Sequence, residues 1–307
     1  MSGRQSAGPA PGRPARRGGA TGSRTVSRFD ATGPDFTRFS FRTLRQYYRG
    51  EFAAATAVNL AYRGSVIIWL VSSLIQPIVL IIVWRTVAGP SGQVGGYTAD
   101  RFVSYFAIML LVDHLSFIWL MWEFEWRVRE GAFAPLLLRP IHPIHKDIID
   151  TSSYKIIGLV AVLPAVVIMI IGFGGDLSGI TPTAVIAFVP AMIGAMVLRF
   201  IVEWVLALSA FWLTKVSALN NLYFSIRTFL SGGFAPLSVL PPVIATIATW
   251  SPFPWSQAFV VNVLMGERTG TDILIGYAAQ AGWIVVMLLV LRLVWSRAVR
   301  RFTAVGS

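Results

Sequence analysis

The chain has 307 residues, of which 55% are hydrophobic and 13% charged, with no cysteine and a formal charge of +12. Soluble domains carry about a quarter charged residues, so this much apolar surface has no soluble core to occupy. The absence of Cys excludes disulfides, thiol catalysis and thiolate metal sites. The positive charge lies in a tail, in short loops and at the ends of apolar runs, as in a membrane protein with inward-facing Lys and Arg, which argues against a nucleic-acid partner.

Residues 1–35 are rich in Gly, Pro, Ala, Ser and Arg, a composition that predicts a disordered cytoplasmic tail. No apolar stretch follows Arg16-Arg17, so no cleaved signal is expected. Over 36–63, Phe39, Phe41, Leu44, Tyr47, Tyr48 and Phe52 interleave with Arg38, Arg42, Arg45 and Arg49. Arginines three or four apart share one helix face, which predicts an amphipathic helix in the membrane interface.

Residues 64–307 read as a transmembrane domain. A crossing helix needs about 20 apolar residues, and the apolar runs place spans at about 65–87, 101–122, 154–173, 184–213 and 273–295. A further stretch, about 219–235, ends at Gly232-Gly233, and Pro236, Pro241, Pro242, Pro252 and Pro254 follow it. Either this span continues through a kink or it breaks and a re-entrant element dips in before the last span. The Lys/Arg bias puts both termini, the loop 123–150 and Lys215 on the inside, which requires an even number of crossings. The expected fold is an all-α polytopic transmembrane helical bundle of about six spans in the cell (inner or plasma) membrane.

No G-x-x-x-x-G-K-[ST], HExxH or GxSxG motif occurs, so neither an enzyme nor a bound cofactor is expected. His142 and His145 lack a third ligand in sequence, and no metal is expected there. The ionisable groups inside the apolar runs carry more information. An unpaired Arg at a span centre costs on the order of 2.5–3.5 kcal/mol by insertion scales. Glu203 lies one turn beyond Arg199, so the two can pair on one face. Asp113 and His114 lie roughly 18 Å into their run against roughly 24 Å for Arg199, a difference that an Arg side chain spans. Two readings stay open: a polar patch on a translocation path or subunit interface, or an ion-pair network that fixes helix packing. An ion-coupled secondary transporter would use Asp113, Arg199 and Glu203.

The loop after the second span is the most distinctive segment. A charged amphipathic turn from Glu123 is followed by Gly131, Leu136–Leu138, Arg139-Pro140 and Pro143. This R-x-G … L-L-L-R-P-x-x-P pattern resembles the coupling-helix region of permease subunits of ABC-type exporters of the type-2 class, in particular the subgroup that exports viologens and daunorubicin-like drugs. Gly95-Gly96-Tyr97, Phe211-Trp212 and the Pro-broken stretch before the last span fit the same pattern; the N-terminal tail is not covered. The resemblance implies a lipid-embedded permease that exports drug-like compounds. It would lack its own ATPase and dock a separate ABC ATPase (nucleotide-binding) subunit on the inside loop. A second permease subunit, identical or related, would complete the path. By the same resemblance, Arg127, Arg129, Glu130, Gly131, Arg139 and Pro140 belong to the ATPase-coupling segment.

Overall fold

The computed structural model describes residues 41–89, 92–213 and 215–302. The tail predicted over 1–35 and the first residues of the amphipathic segment lie outside them. The described residues are helical, with a single isolated bridge between Val94 and Tyr97 and no strand. The chain runs through α1 (Phe41–Ala61), α2 (Arg63–Ala88), α3 (Ala99–Ser116), α4 (Leu120–Arg129), α5 (Ala134–Leu138) and α6 (Pro143–Phe173). It continues through α7 (Pro182–Ala207), α8 (Ser217–Leu230), α9 (Pro242–Thr249), α10 (Ala258–Leu264) and α11 (Thr271–Arg301).

Five stretches are long and apolar enough to cross a membrane: Ile67–Ala88, Ala99–Arg129, Pro143–Phe173, Pro182–Phe211 and Thr271–Arg301. The fold is therefore an all-α polytopic bundle. Its helix ends follow from local chemistry. Thr98 and Thr181 cap α3 and α7 by accepting hydrogen bonds from the backbone N–H of Arg101 and Ala184. Gly174 closes α6 at φ +70, a left-handed conformation that glycine adopts without a steric penalty.

The central element is α3. From Phe102 to Leu110 every side chain is buried, against α2, α6, α7 and α10. The second stretch is not one continuous helix, because Phe117–Trp119 breaks it between α3 and α4. A second apolar cluster, around Phe124, Phe133, Trp204 and Phe211, joins α4, α5 and the end of α7 to α11. Isoleucines and valines such as Ile68, Val160, Ile171 and Ile186 point outward from α2, α6 and α7, the pattern of helices with a lipid-facing side.

The bundle has two unlike ends. One carries the short loops α2–α3 and α6–α7; the other, the basic end, carries α4, α5 and the arginines that close α11. There α1 lies along the first turns of α6, where Tyr48 OH meets His145 Nδ1 at 2.8 Å and Lys146 pairs with Glu51 at 3.2 Å.

At 14 residues, α8 is about 21 Å long, short of a hydrocarbon core of about 30 Å. The chain beyond it folds back on the bundle. Ser238 Oγ donates to the Gly95 carbonyl in the α2–α3 loop at 2.8 Å. Gln257 then reaches Asp113 near the C-terminal end of α3, and Met265 and Gly266 return to pack on Gly179 in the α6–α7 loop. The approach there is so close that a Cβ on Gly179 would collide with the Met265 carbonyl.

Candidate functional site

Two polar clusters are built on α7, about one helical turn apart. The first centres on Arg199, which is 1% exposed. Its Nε donates to Glu203 Oε1 at 2.8 Å, and its Nη1 donates to Asp113 Oδ1 at 2.7 Å and to Ser116 Oγ at 2.8 Å. The structure thus brings together three of the four intramembrane residues singled out in sequence. The i, i+4 spacing sets the pair on α7, and the matched depths of α3 and α7 set the bond between helices.

The cluster extends further than the sequence indicated. Arg227 Nη2 on α8 and Gln257 Nε2 at the foot of α10 also donate to Asp113 Oδ1, at 3.0 and 2.8 Å. Tyr223 OH donates to Glu203 Oε1 at 3.2 Å. One carboxylate oxygen therefore ties α3 to α7, α8 and the returning segment. Among the described residues, Arg199 Nη2 and Arg227 Nε and Nη1 are buried without a hydrogen-bond partner. Arg227 and Asp113 also line a chamber of about 90 Å³, room for about three waters at about 30 Å³ each.

His114 does not join this cluster. It is the next residue after Asp113, about 100° further round the helix, so it turns to α6, where Nε2 meets the Lys155 carbonyl at 3.1 Å. Gly158 lets the ring approach, since a Cβ there would collide with it.

The second cluster anchors the loop at the basic end. Asp147, 1% exposed, accepts from Arg127 Nη1 at 2.7 Å and from Trp204 Nε1 at 2.9 Å. Arg127 Nε also donates to Glu123 at 3.1 Å. Within the predicted coupling segment Arg127 is buried, and it holds α4 onto α6 and α7 from beneath. The other five residues sit on the outer side of the loop. Arg129, Glu130, Arg139 and Pro140 are exposed. Gly131 takes φ +70 at the turn that ends α4, a conformation that favours glycine. Phe133, fully buried, plugs α5 into rings from Phe124, Phe211, Trp295 and Phe302. On the neighbouring face, the Val216 N–H donates to Glu125 at 2.9 Å and joins α4 to the start of α8.

The two histidines of the loop diverge. His145 bonds Tyr48, whereas His142 packs between Trp204 and Trp295 and caps α6 by accepting from the Ile144 N–H at 3.2 Å. Among the described residues no group of three His, Cys, Asp or Glu could hold a metal. Burial, with a smaller contribution from His145, holds the His142 imidazole down to about 4, below its ordinary value of about 6.5. The unfolded chain therefore takes up a proton that the folded chain refuses. The stabilisation is complete above about pH 6.5 and is lost as pH falls from about 6.5 to about 4. The unfolding midpoint of the detergent-solubilised chain should fall across that window. His142→Asn, which keeps a capping acceptor but cannot protonate, should flatten the dependence. An unchanged slope in that variant would remove His142 as its source.

Sequence reasoning missed Arg227, Gln257, Tyr223, Asp147 and Trp204. Arg227 left a signal, a charge within an apolar run of uncertain length. Gln257 left none, because nothing in its spacing connects it to a residue 144 positions away.

Residues 74–306 match the family model described as ABC-2 family transporter protein. No curated protein and no solved structure matches the chain.

Proposed function

The chain belongs to the ABC-2 family of transporter proteins, and from that premise we propose that it is the permease subunit of an ABC-type exporter, driven through its α4–α5 loop by a separate ATPase subunit. It is a multi-pass membrane protein. In this reading the basic end faces the cytoplasm of the inner (plasma) membrane, in keeping with its Lys and Arg content. The sixth crossing is the stretch of about 219–235, formed by α8 and the residues after it, and α9–α10 form a re-entrant hairpin from the outer face.

One observation carries the reading: the α4–α5 loop presents an exposed outer surface while its inner side is bonded to four helices. Trp126, Arg129, Glu130, Leu138, Arg139 and Pro140 make the outer surface, and Trp126 and Leu138 are 56% and 76% exposed. Beneath them, Arg127, Phe124, Phe133 and Glu125 engage α6, α7, α11 and the start of α8. A partner gripping this loop would move the bundle as a rigid body rather than deform a mobile segment. A second permease subunit, of this chain or a related one, completes the path, and the exported compound is an amphipathic molecule. The alternative, an ion-coupled transporter working through Asp113, Arg199 and Glu203, gains no support from the geometry, because guanidinium groups clamp both carboxylates.

The test is affinity purification of the full chain from its own cells. An ATPase subunit with a Walker motif should co-purify. Arg139→Ala and Glu130→Ala should reduce its recovery by about tenfold, a loss of about 1.4 kcal/mol of binding, without changing the melting temperature of the permease, since both side chains are exposed. Recovery unaffected by all the loop variants would contradict the proposal.

A further inference from the structure

A second cavity, of about 480 Å³, lies at the basic end between α1, α2, α6 and the α3–α4 break. Its volume falls within the about 300–1,000 Å³ of small-molecule sites. Five aromatic side chains line it: Tyr62, Trp69, Phe117, Trp119 and Tyr154. Its carboxylates are already matched, Glu123 and Asp147 by Arg127 and Asp150 by Lys146. The cleft therefore offers ring faces rather than free charge to an occupant.

Above it lies the polar chamber at Asp113. The two cavities share a single lining residue, Trp69. The Trp69 indole packs on Phe117 at 5.0 Å between centroids and on Tyr154 at 5.9 Å, joining α2 to the α3–α4 break and to α6. Phe117 is backed in turn by the Arg199 guanidinium, 5.4 Å from its ring centre. Three rings from three elements thus form a wall between the cleft and the chamber, and the buried ion network supports that wall from behind.

We propose that the seam between α2 and α3 is a ligand passage within one chain. The basic-end cleft binds an amphipathic molecule by stacking on its aromatic ring, and Trp69 is the partition that separates this site from the chamber at Asp113. The use of the passage rests on the transport reading above, but the binding site and the partition can be tested without it.

The chain lacks cysteine, so single reporters can be placed in an otherwise thiol-free protein. Thr151→Cys reports on the cleft and Thr228→Cys on the chamber, with Val260→Cys, at a fully buried position, as a control for loosened packing. The full chain in membrane vesicles of each orientation is treated with a sulfonated stilbene maleimide or a sulfonated alkyl maleimide of equal charge. From the basic face, labelling of Thr151→Cys should saturate with the stilbene reagent and rise linearly with the alkyl one. Labelling of Thr228→Cys from that face should be slow, and Trp69→Ala should accelerate it about tenfold, equivalent to a barrier lowered by about 1.4 kcal/mol. Trp69→Phe should keep it slow, and Val260→Cys should stay unlabelled throughout. Should Trp69→Ala expose Val260→Cys, Trp69→Leu, which keeps apolar bulk without the ring, takes its place in the same comparison. Linear kinetics with both reagents would overturn the binding site. Unchanged Thr228→Cys labelling in the ring-deleted variant would overturn the partition. Either failure is distinct from failure to capture an ATPase, which leaves both accessibility results standing.

Discussion

Arg199→Ala should be among the most destabilising single substitutions in this chain. It removes the partner of Glu203, a carboxylate 2% exposed that otherwise accepts a hydrogen bond from Tyr223 OH. Asp113 is less affected, because Arg227 and Gln257 still donate to it. Stranding one member of a buried pair costs on the order of 3–5 kcal/mol. Arg199→Lys should recover little, since an ammonium cannot reproduce the fork by which Nε and Nη1 address two carboxylates at once. The double variant Arg199→Met/Glu203→Leu should recover much of the loss, because replacing a buried pair with apolar groups is often neutral. Thermal unfolding of the detergent-solubilised protein measures all three. Wild-type stability in Arg199→Ala would contradict the placement of Glu203 in a closed interior. If the double variant is stable but inactive in export, the cluster serves the path; if it is stable and active, the cluster serves packing.

Arg127→Ala should produce the second large effect, with a different signature. Its guanidinium pairs with Asp147, which is as buried as Arg199, and leaves only the Trp204 N–H to face that carboxylate when removed. The expected loss is again on the order of 3–5 kcal/mol, concentrated where α4 meets α6 and α7. Amide exchange should therefore rise over Trp126–Leu138, and ATPase recovery should fall along with stability. Arg139→Ala, on the exposed side of the same loop, should lower recovery alone. The contrast separates a residue that holds the loop from one that a partner touches. Arg127→Ala with native exchange in α4 would show that the buried pair does not hold the loop.

The long apolar runs were legible because a membrane crossing imposes length and charge-free composition on the sequence. The Arg199–Glu203 pair was legible from helical spacing, and the bond to Asp113 from matched depth. The break at Phe117–Trp119 was not, because no Gly or Pro marks it; the bonds of Ser116 to Val112 and to Arg199 lie at its edge. The inward turn of Arg127 depends on Asp147, which is 20 residues away across the α4–α5 turn. Such a pairing is a property of tertiary packing, and sequence pattern places both residues in a loop of mixed charge. The position of Gln257 follows from the path of a proline-cut segment, for which local periodicity has no rule.

Site-directed photo-crosslinking from the α4–α5 turn tests the central claim most directly. A photo-reactive side chain at Glu130, an exposed residue beside Gly131, and one at Trp250, 81% exposed at the end of α9, are incorporated separately into the full chain and irradiated in cells. An adduct between this chain and a polypeptide carrying a nucleotide-binding motif is expected from position 130 and none from position 250. An adduct to that polypeptide from position 250 with none from position 130, or no such adduct from either, would contradict the central claim.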